Sequence, residues 1–472
     1  MKKSIFNYAL VLLMFAVLVP VHSVNAQSAS SQSWTSAIVY FNTSTDSGSM
    51  TVDFYDGATT YSSGAIALTG HQNGTLLVGS VSSLPASFKG SAVLSAAVPI
   101  AVTYYDFVEG ADAKNYDRSY YVGFKPSQAH DVIYVPTVER AAFGPKLTSR
   151  VGIQNIDPSD DAKIRMDFYH VGSTTPFFSP TKTVQEKASY IFSMDDYKAN
   201  IPAGFTGSLK VTSTGGEEIV AAAEETADIK RYAYAFEGVE GGESTVYVPT
   251  MLCKYGGKSQ ISYYAIQAVG GTANVTVKHY DKFTGLQLGT TYTTSIADGS
   301  KEGVNPCQNG VPDGSVGSSI ITSTGADVIV IVKVNGNTGL RTAYIAEGSG
   351  AIKVALPYVR WSKDVTADFR TYIAVMNVSS SKAKDVKAKY FNPAGTLVHT
   401  HIIADSGNPL TPLQKGSTWT ELAGMGSGDW EGSVIIISDQ NVLVTIRATR
   451  DTTGLEPDAG QFGEDYVGIP IP

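Results

Sequence analysis

Three strand-like landmarks recur in the same order about every 111 residues along this chain. The first is an alternating apolar segment that ends in tyrosine or phenylalanine, at residues 50–55, 164–169, 275–280 and 386–391. The second is a Gly-Ser pair that opens another apolar strand, at Gly90-Ser91, Gly207-Ser208, Gly317-Ser318 and Gly432-Ser433. The third is a strand end resembling Val-Pro, at Tyr134-Val135-Pro136, Tyr247-Val248-Pro249, Ala355-Leu356-Pro357 and Gly468-Ile469-Pro470. Landmarks that keep one phase predict four copies of one folding unit, with boundaries at 27–130, 131–243, 244–350 and 351–472.

Alternation within the first landmark indicates antiparallel sheet that is buried on one face. Residues two apart on a strand share a face, so Met50, Val52 and Phe54 point the same way. Glycine, asparagine, aspartate and serine clusters separate the apolar runs. About seven short strands in ~110 residues are typical of an immunoglobulin-like sandwich. We therefore expect an all-β chain of four tandem immunoglobulin-like antiparallel β-sandwich domains, with an antiparallel barrel as the structural alternative.

The Tyr-Val-Pro strand, the Phe-Tyr strand end and the aromatic-x-Gly-Ser segment resemble those of the tandem immunoglobulin-like repeats in bacterial secreted and cell-surface proteins. The resemblance covers nearly all of residues 34–472, and it implies fold and location without implying a catalytic residue. The third unit departs from the pattern, because Ser315 stands where Phe88, Phe205 and Trp430 stand in the others.

The first 26 residues have the pattern of a removable export signal. Two lysines follow Met1, an apolar run covers residues 9–19, and small residues at 24–26 place cleavage after Ala26. The apolar run is short for a bilayer span of ~20 residues, so we expect no membrane span. The formal net charge of −8 gives no footprint for nucleic acid. These features predict a secreted, extracellular or cell-surface protein.

Both cysteines of the chain, Cys253 and Cys307, lie in the third unit. Export permits a disulfide, and without Cys-x-x-Cys spacing a redox or metal role is not favoured. We therefore predict a bond that ties the segment after Pro249 to the loop at 298–313.

The remaining chemistry-bearing residues give weak patterns. Asp157, Asp160 and Asp161 crowd one turn and are calcium candidates, although a solvated turn is favoured because the pattern lacks a calcium-loop spacing. His399 and His401 are two apart on a predicted strand and share a face, but no third metal ligand is in view. With no privileged carboxylate pair, nucleophile elbow or phosphate-binding glycine loop, we predict that the protein is not an enzyme and carries no cofactor.

Trp419 is the one tryptophan that packing within or between units does not readily explain. Together with His399 and His401, it makes the fourth unit the one that differs most from the others. The alternative function is therefore a carbohydrate- or ligand-binding module centred on that unit, with a glycan as its partner. The favoured function is structural or adhesive: a rigid spacer, a surface-layer component or a filament subunit, with cell-surface components or copies of itself as partners.

The Tyr-Val-Pro strand has two interpretations. If it opens each domain, the first domain lacks one, and Tyr466, Val467, Gly468, Ile469 and Pro470 form a spare strand that could complete the first domain of a neighbouring molecule. If it closes each domain, the chain is self-complete. We favour the closing strand, because four such strands would then serve four units without leaving exposed edges.

Overall fold

The structure is a computed structural model that describes residues 14–17, 33–57, 59–109, 118–227, 233–337, 339–366, 368–451 and 461–472. Across these ranges, strands form six four-stranded sheets and one eight-stranded sheet, all with antiparallel ladders. Four short 3₁₀ helices interrupt them, at Val78–Ser80, Pro126–Gln128, Met194–Tyr197 and Pro306–Asn309. The all-β, sandwich-like class is therefore confirmed. The cleavage point after Ala26 lies outside the described residues.

The strands fall into four groups, which we call sheet pairs 1 to 4. Pair 1 contains β1 (Met14–Val17), β2 (Ser33–Asn42), β3 (Gly48–Asp56), β4 (Thr59–Leu68), β5 (Asn73–Leu77), β6 (Ser91–Ala96), β7 (Ile100–Glu109) and β8 (Arg118–Val122). Pair 2 contains β9 (Val132–Arg140), β10 (Thr148–Asn155), β11 (Ala162–His170), β12 (Thr181–Val184), β13 (Ser189–Ser193), β14 (Phe205–Ser213), β15 (Ile219–Thr226) and β16 (Ala233–Glu237).

Pair 3 contains β17 (Thr245–Cys253), β18 (Ile261–Val269), β19 (Ala273–Asp281), β20 (Gln287–Ile296), β21 (Lys301–Val304), β22 (Ser315–Thr324), β23 (Asp327–Asn335) and β24 (Arg341–Ile345). Pair 4 contains β25 (Ala351–Trp361), β26 (Arg370–Asn377), β27 (Val386–Phe391), β28 (Leu397–Ala404), β29 (Lys415–Thr418), β30 (Trp430–Asp451), β31 (Gln461–Val467) and β32 (Ile469–Pro470). The strand order of pair 1 is β1-β6-β3-β4 in one sheet and β5-β2-β7-β8 in the other, and pairs 2 and 3 repeat it. In pair 4 the long β30 runs through both sheets and joins them into one.

Each sheet pair encloses an apolar core between its two sheets. In pair 1, Ile38 and Tyr40 of β2 pack in one cluster with Val52 and Phe54 of β3. The alternation seen in the sequence is confirmed, because the predicted inward residues of all four first-landmark strands are buried: Met50, Val52, Phe54, Ile164, Met166, Phe168, Val275, Val277, His279, Val386, Ala388 and Tyr390. Alternate residues of these strands therefore point into the core, as the pleat requires.

The Tyr-Val-Pro strand opens sheet pairs 2, 3 and 4, so the preference for a closing strand is wrong. β9 pairs with β14, β17 with β22, and β25 with β30, which in each case is the Gly-Ser strand that follows it in the chain. Packing explains the choice, since Ile133, Val135 and Val138 of β9 belong to the core of pair 2. In pair 1 the corresponding place beside β6 is occupied by β1.

The predicted spare strand, residues 466–470, is built into pair 4 of its own chain. β31 pairs with β30, and β32 pairs with β25. Tyr466 is buried, and Ile469 stands opposite Ala355 as Val239 stands opposite Tyr134 in pair 2. Gly468-Ile469-Pro470 therefore corresponds to the chain after β16 rather than to a fourth Tyr-Val-Pro strand. The sequence similarity misled because both segments are apolar and end in proline.

The four sheet pairs close into a ring rather than standing in a row. The edge strands β8, β16, β24 and β31 meet at its centre, with β16 between β8 and β24, and β31 beside both β24 and β8. Apolar clusters continue across each junction: pair 2 contributes Val220 to the core of pair 1, pair 3 contributes Ile331 to that of pair 2, and pair 4 contributes Leu443 to that of pair 3.

A column of four tyrosines closes the ring between pairs 4 and 1. Tyr358 stacks on Tyr105 with ring centroids 6.1 Å apart, Tyr105 on Tyr120 at 5.7 Å, and Tyr120 on Tyr466 at 5.0 Å. The Tyr466 hydroxyl donates to the carbonyl of Tyr358 at 3.0 Å. Stacked aromatic pairs add about 0.5–1.5 kcal/mol each beyond the area they bury, so this column stabilises the junction between pairs 4 and 1.

Candidate functional site: a cleft between sheet pairs 3 and 4

A cleft of about 390 Å³ lies between sheet pairs 3 and 4. This volume is within the ~300–1,000 Å³ of ordinary small-molecule sites. Polar and aromatic side chains from both pairs line it, among them Thr250, Tyr255, Gln260, Lys282, Tyr372, Lys415, Ser417, Trp419 and Arg447. The cleft is thus the place in the described residues where the sequence candidate Trp419 meets further groups able to bind a ligand.

Two aromatic rings form one wall of the cleft. Tyr372 lies on β26 with its side chain outward and is 38% exposed. Trp419 directly follows β29, and its ring lies 5.7 Å from that of Tyr372. Trp361 packs behind Tyr372 with ring centroids 5.6 Å apart and is itself buried. Tyr372 therefore packs between Trp361, which is buried, and Trp419. The rings of Tyr372 and Trp419 form a wall on which an apolar group or the face of a sugar can stack.

Three cationic side chains form the polar part of the cleft. Lys415 is 7% exposed, and its ammonium group donates to the carbonyls of Pro249 at 3.0 Å and Gly317 at 3.2 Å. Lys282 donates to the Ser417 hydroxyl at 3.1 Å. Burial, and then the nearby cations Lys282 and Arg447, lower the pKa of Lys415 to about 7.

Arg447 is the third cation, and it is paired with a carboxylate. Its guanidinium donates to Asp465 of β31 at 2.6 and 3.0 Å. A further donor reaches the Gln260 side-chain oxygen at 3.3 Å. Bidentate pairing of this kind fixes the orientation of the guanidinium, and it leaves the other two cations with uncharged partners.

The predicted histidines do not share this cleft. His399 and His401 lie on β28, where they stand opposite Tyr390 and Ala388 of β27. His401 is 2.7 Å from the Thr418 hydroxyl, which also contacts the Tyr390 hydroxyl at 2.7 Å. The two histidines share a face, but neither of them lines the cleft that contains Trp419.

The acidic turn is a self-contained hydrogen-bonded loop. Asp157 accepts from the backbone N–H of Ser159 at 2.9 Å and from that of Asp160 at 3.0 Å, and Asp161 accepts from the backbone N–H of Glu186 at 3.2 Å. The two bonds to Asp157 are the arrangement of an Asx turn, and the bond to Asp161 ties this turn to the segment after β12. Among the described residues, no group of three or more His, Cys, Asp and Glu side chains could hold a metal ion.

The predicted disulfide is present, and it takes the place of an aromatic ring. Cys253 and Cys307 are bonded, with Cα atoms 5.2 Å apart. Cys253 packs with Met251 and Val311 in a small apolar cluster. Ser315 pairs directly with Cys253, so this cluster fills the space that Phe88, Phe205 and Trp430 fill elsewhere. The bond is therefore a local structural link.

A second cavity lies at the centre of the ring, but it is small. Its volume is about 90 Å³, and Lys125, Glu237, Glu347 and Tyr466 are among its lining residues. Burial raises the pKa of Glu237 to about 7, and burial followed by the nearby Glu237 raises the pKa of Glu347 to about 7. A volume this far below that of ordinary ligand sites suits ring packing rather than ligand binding.

Sequence reasoning identified Trp419 and missed Tyr372, Lys282, Lys415 and Arg447. Tyr372 is one of many tyrosines on strands, and each cation stands alone in its own stretch of sequence. Their convergence depends on how pair 3 packs on pair 4, for which the local pattern gives no signal.

Two sequence comparisons with known proteins give no relative for this chain. No protein-family model matches it, and a search of curated protein sequences finds no match. In the described ranges, no helix has the length and apolar character that crossing a membrane requires.

Proposed function

We propose that the protein is a secreted or cell-surface structural or adhesive protein, made of four tandem immunoglobulin-like domains that follow a cleaved export signal. The observation that carries this proposal is the ring of four similar sheet pairs. Buried apolar clusters and a column of tyrosines pack at the junctions between these pairs. Such packing supports a rigid body that presents its outer faces to partners.

Among structural roles, the closed ring favours a surface-layer component or filament subunit over a spacer. A spacer must hold its first and last domains apart, whereas here Lys125 of pair 1 donates to the carbonyl of Pro470 in pair 4 at 3.2 Å. Copies of the same chain or other cell-surface components are the partners that this role implies.

Cell fractionation with N-terminal sequencing tests the proposal. We expect the protein at the cell surface or in the medium, accessible to added protease, with Gln27 as its first residue. Full-length protein retained in the cytoplasm with Met1 in place would overturn it. Light scattering of the exported protein at high concentration then measures self-association directly.

Ligand binding at the cleft is the second candidate function, and the placement of Trp419 favours it. The ring of Trp419 and that of Tyr372 face a volume suited to a small ligand, beside side chains that can donate hydrogen bonds. This function is compatible with the first, because a surface protein that holds a glycan is an adhesive one.

A further inference from the structure

The charges at the cleft differ from those at the preceding junction of the ring. Between pairs 2 and 3, Lys333 lies 2.6 Å from Glu225 and 3.5 Å from Glu139. Lys301 donates to the Thr137 hydroxyl at 2.8 Å, and Glu139 and Glu225 act on its charge as well. The buried Lys301 and the largely buried Lys333 therefore meet two buried carboxylates, as buried ions require.

Strand register identifies the corresponding cations at the cleft. In pair 3, β18 pairs Tyr263 with Lys333 and Gln267 with Lys301. In pair 4, β26 pairs Tyr372 with Arg447, and Met376 with Lys415, at the same spacing. Arg447 thus corresponds to Lys333, and Lys415 corresponds to Lys301.

The carboxylates have no counterparts at the cleft. The backbone N–H of Glu139 donates to the Ser149 hydroxyl, and that of Leu252 donates to the Ser262 hydroxyl, so Leu252 stands in the place of Glu139. Ser149 pairs with Glu225, and Ser262 pairs with Val334. Aliphatic side chains therefore occupy both acidic positions.

Within the described part of the chain, Arg447 is the one cleft cation that pairs with a carboxylate. Arg447 is neutralised by Asp465, whereas the partners that hold Lys415 and Lys282 are carbonyl and hydroxyl oxygens. Among the residues that the structure describes, no Asp or Glu lines the cleft. Beside it, Arg370 and Glu421 act on Tyr372 with opposite charges. Lys282 therefore brings an unbalanced positive charge to the aromatic wall, and Lys415, whose pKa burial lowers to about 7, adds to that charge when it is protonated.

We propose that this cleft binds an anionic glycan, with a sugar ring against Trp419 and Tyr372 and a carboxylate or sulfate group near Lys282 and Lys415. The inference rests on the second candidate function and specifies its ligand class. The aromatic rings can stack on the apolar face of a sugar. Threonine, serine and glutamine side chains can form hydrogen bonds with its hydroxyls, and the lysines without a carboxylate partner can bind its negative charge. The positive charge that lacks a carboxylate partner is the feature that favours an anionic sugar over a neutral one.

Titration calorimetry on the exported chain tests this assignment with a tetramer of galacturonic acid, a sulfated tetrasaccharide and a neutral glucose tetramer. We expect heat from one or both anionic sugars, weakening as salt rises because exposed charges are screened, and none from the neutral sugar.

Two variants locate the site. Lys282→Gln removes a half-buried charge and should weaken binding about tenfold, the usual size of one charged hydrogen bond. Trp419→Ala removes the stacking wall and should abolish measurable binding. Matched controls are the exposed Lys89→Gln and Phe143→Ala in pairs 1 and 2, which should bind as the parent does. Unchanged melting temperatures verify that every variant is folded.

Three results would overturn the inference. Equal binding of the neutral sugar would remove the anionic class while leaving ligand binding intact. Binding unaffected by both cleft variants would place the site elsewhere. A lack of binding by all three sugars would remove the glycan-binding function as well, while the structural function, tested by location and self-association, would stand.

Discussion

The recurring Gly-Ser pair has two separate physical causes, one for each residue. A Cβ atom on Gly317 would lie 1.8 Å from the Tyr280 carbonyl oxygen, and one on Gly207 would lie 2.1 Å from that of Tyr169. Only glycine allows so close a strand approach. The serine instead bonds across a junction of the ring: the Ser318 hydroxyl, for example, donates to the carbonyl of Leu413 at 2.9 Å.

All four serines make such a contact with the next sheet pair around the ring. Ser91 contacts Lys187, Ser208 contacts Gly299, Ser318 contacts Leu413, and Ser433 contacts Asn73. The last contact runs from pair 4 back to pair 1. The Gly-Ser landmark therefore marks the sequence repeat and also supplies contacts that close the ring.

Gly317→Ala should destabilise pair 3 strongly, by roughly 3 kcal/mol or more, because the strands must separate to admit the methyl group. Chemical denaturation measures the loss. Gly303→Ala is the matched control in the same pair, since a Cβ there meets nothing within 4 Å, and it should change stability by less than about 0.5 kcal/mol. Similar losses in the two variants would contradict the steric explanation.

Glu237 makes stability depend on pH at the centre of the ring. It accepts a hydrogen bond from the backbone N–H of Val122 of the neighbouring sheet pair. Burial raises its pKa from 4.5 to about 7, so the folded protein binds a proton that the unfolded chain releases above pH 4.5. The stabilisation is complete below pH 4.5 and is lost as pH rises through about 7.

Glu237→Gln keeps a similar shape and an acceptor but removes the charge. We expect the variant to be more stable than the parent by about 1–3 kcal/mol at pH 8 and nearly equal to it at pH 5. Thermal unfolding at both values measures the difference. The exposed Glu186→Gln serves as the control and should follow the parent. Parallel pH curves for Glu237→Gln and the parent would exclude this carboxyl as the cause.

At the scale of the element, the sequence pattern predicted strands well and misjudged one partnership. Alternation specified which residues of β3, β11, β19 and β27 are buried, since the period of a strand is local. Local pattern could not decide whether the Tyr-Val-Pro strand packs on the preceding or the following core. Its alternation of inward and outward residues is the same in both cases. Pairing of β9 with β14, some 70 residues later in the chain, decides it.

In the first sheet pair, β6 is paired on one edge with β1, a strand that lies within the predicted export signal. β1 pairs with β6 over four residues, from Met14 opposite Ser95 to Val17 opposite Ala92. Cleavage after Ala26 would remove it and leave the outer edge of β6 without a partner, while β14, β22 and β30 keep theirs.

A chain that begins at Gln27 should therefore be less stable in pair 1 than the full chain, by about 2–4 kcal/mol for the lost ladder bonds. Hydrogen exchange should be faster at the amides of β6 and unchanged at those of β14, which serves as the internal control. An unpaired edge also promotes association between copies, so dimers should appear at high concentration. Identical exchange and mass for the two chains would show that β1 is not needed.

For the whole molecule, the sequence predicted four units but not their arrangement. Recurring landmarks predict units because each sheet pair encloses an apolar core between its own strands. Ring closure depends on contacts such as that of Tyr105 with Tyr358, more than 200 residues apart. A tyrosine in that column has the same local pattern as any other strand tyrosine. The cleft between pairs 3 and 4 escaped prediction for the same reason, because Lys282 and Trp419 meet only after these pairs pack.

Small-angle scattering distinguishes a ring from a row. A compact chain of 472 residues should have a radius of gyration of about 23 Å, whereas four domains in a row should give roughly twice that value. We expect the compact value for the parent protein. The double variant Tyr105→Ala, Tyr358→Ala should enlarge the particle by opening the junction between pairs 4 and 1, while the exposed Phe143→Ala should not. An extended parent would exclude the ring, and a compact double variant would show that the remaining junction contacts suffice to close it.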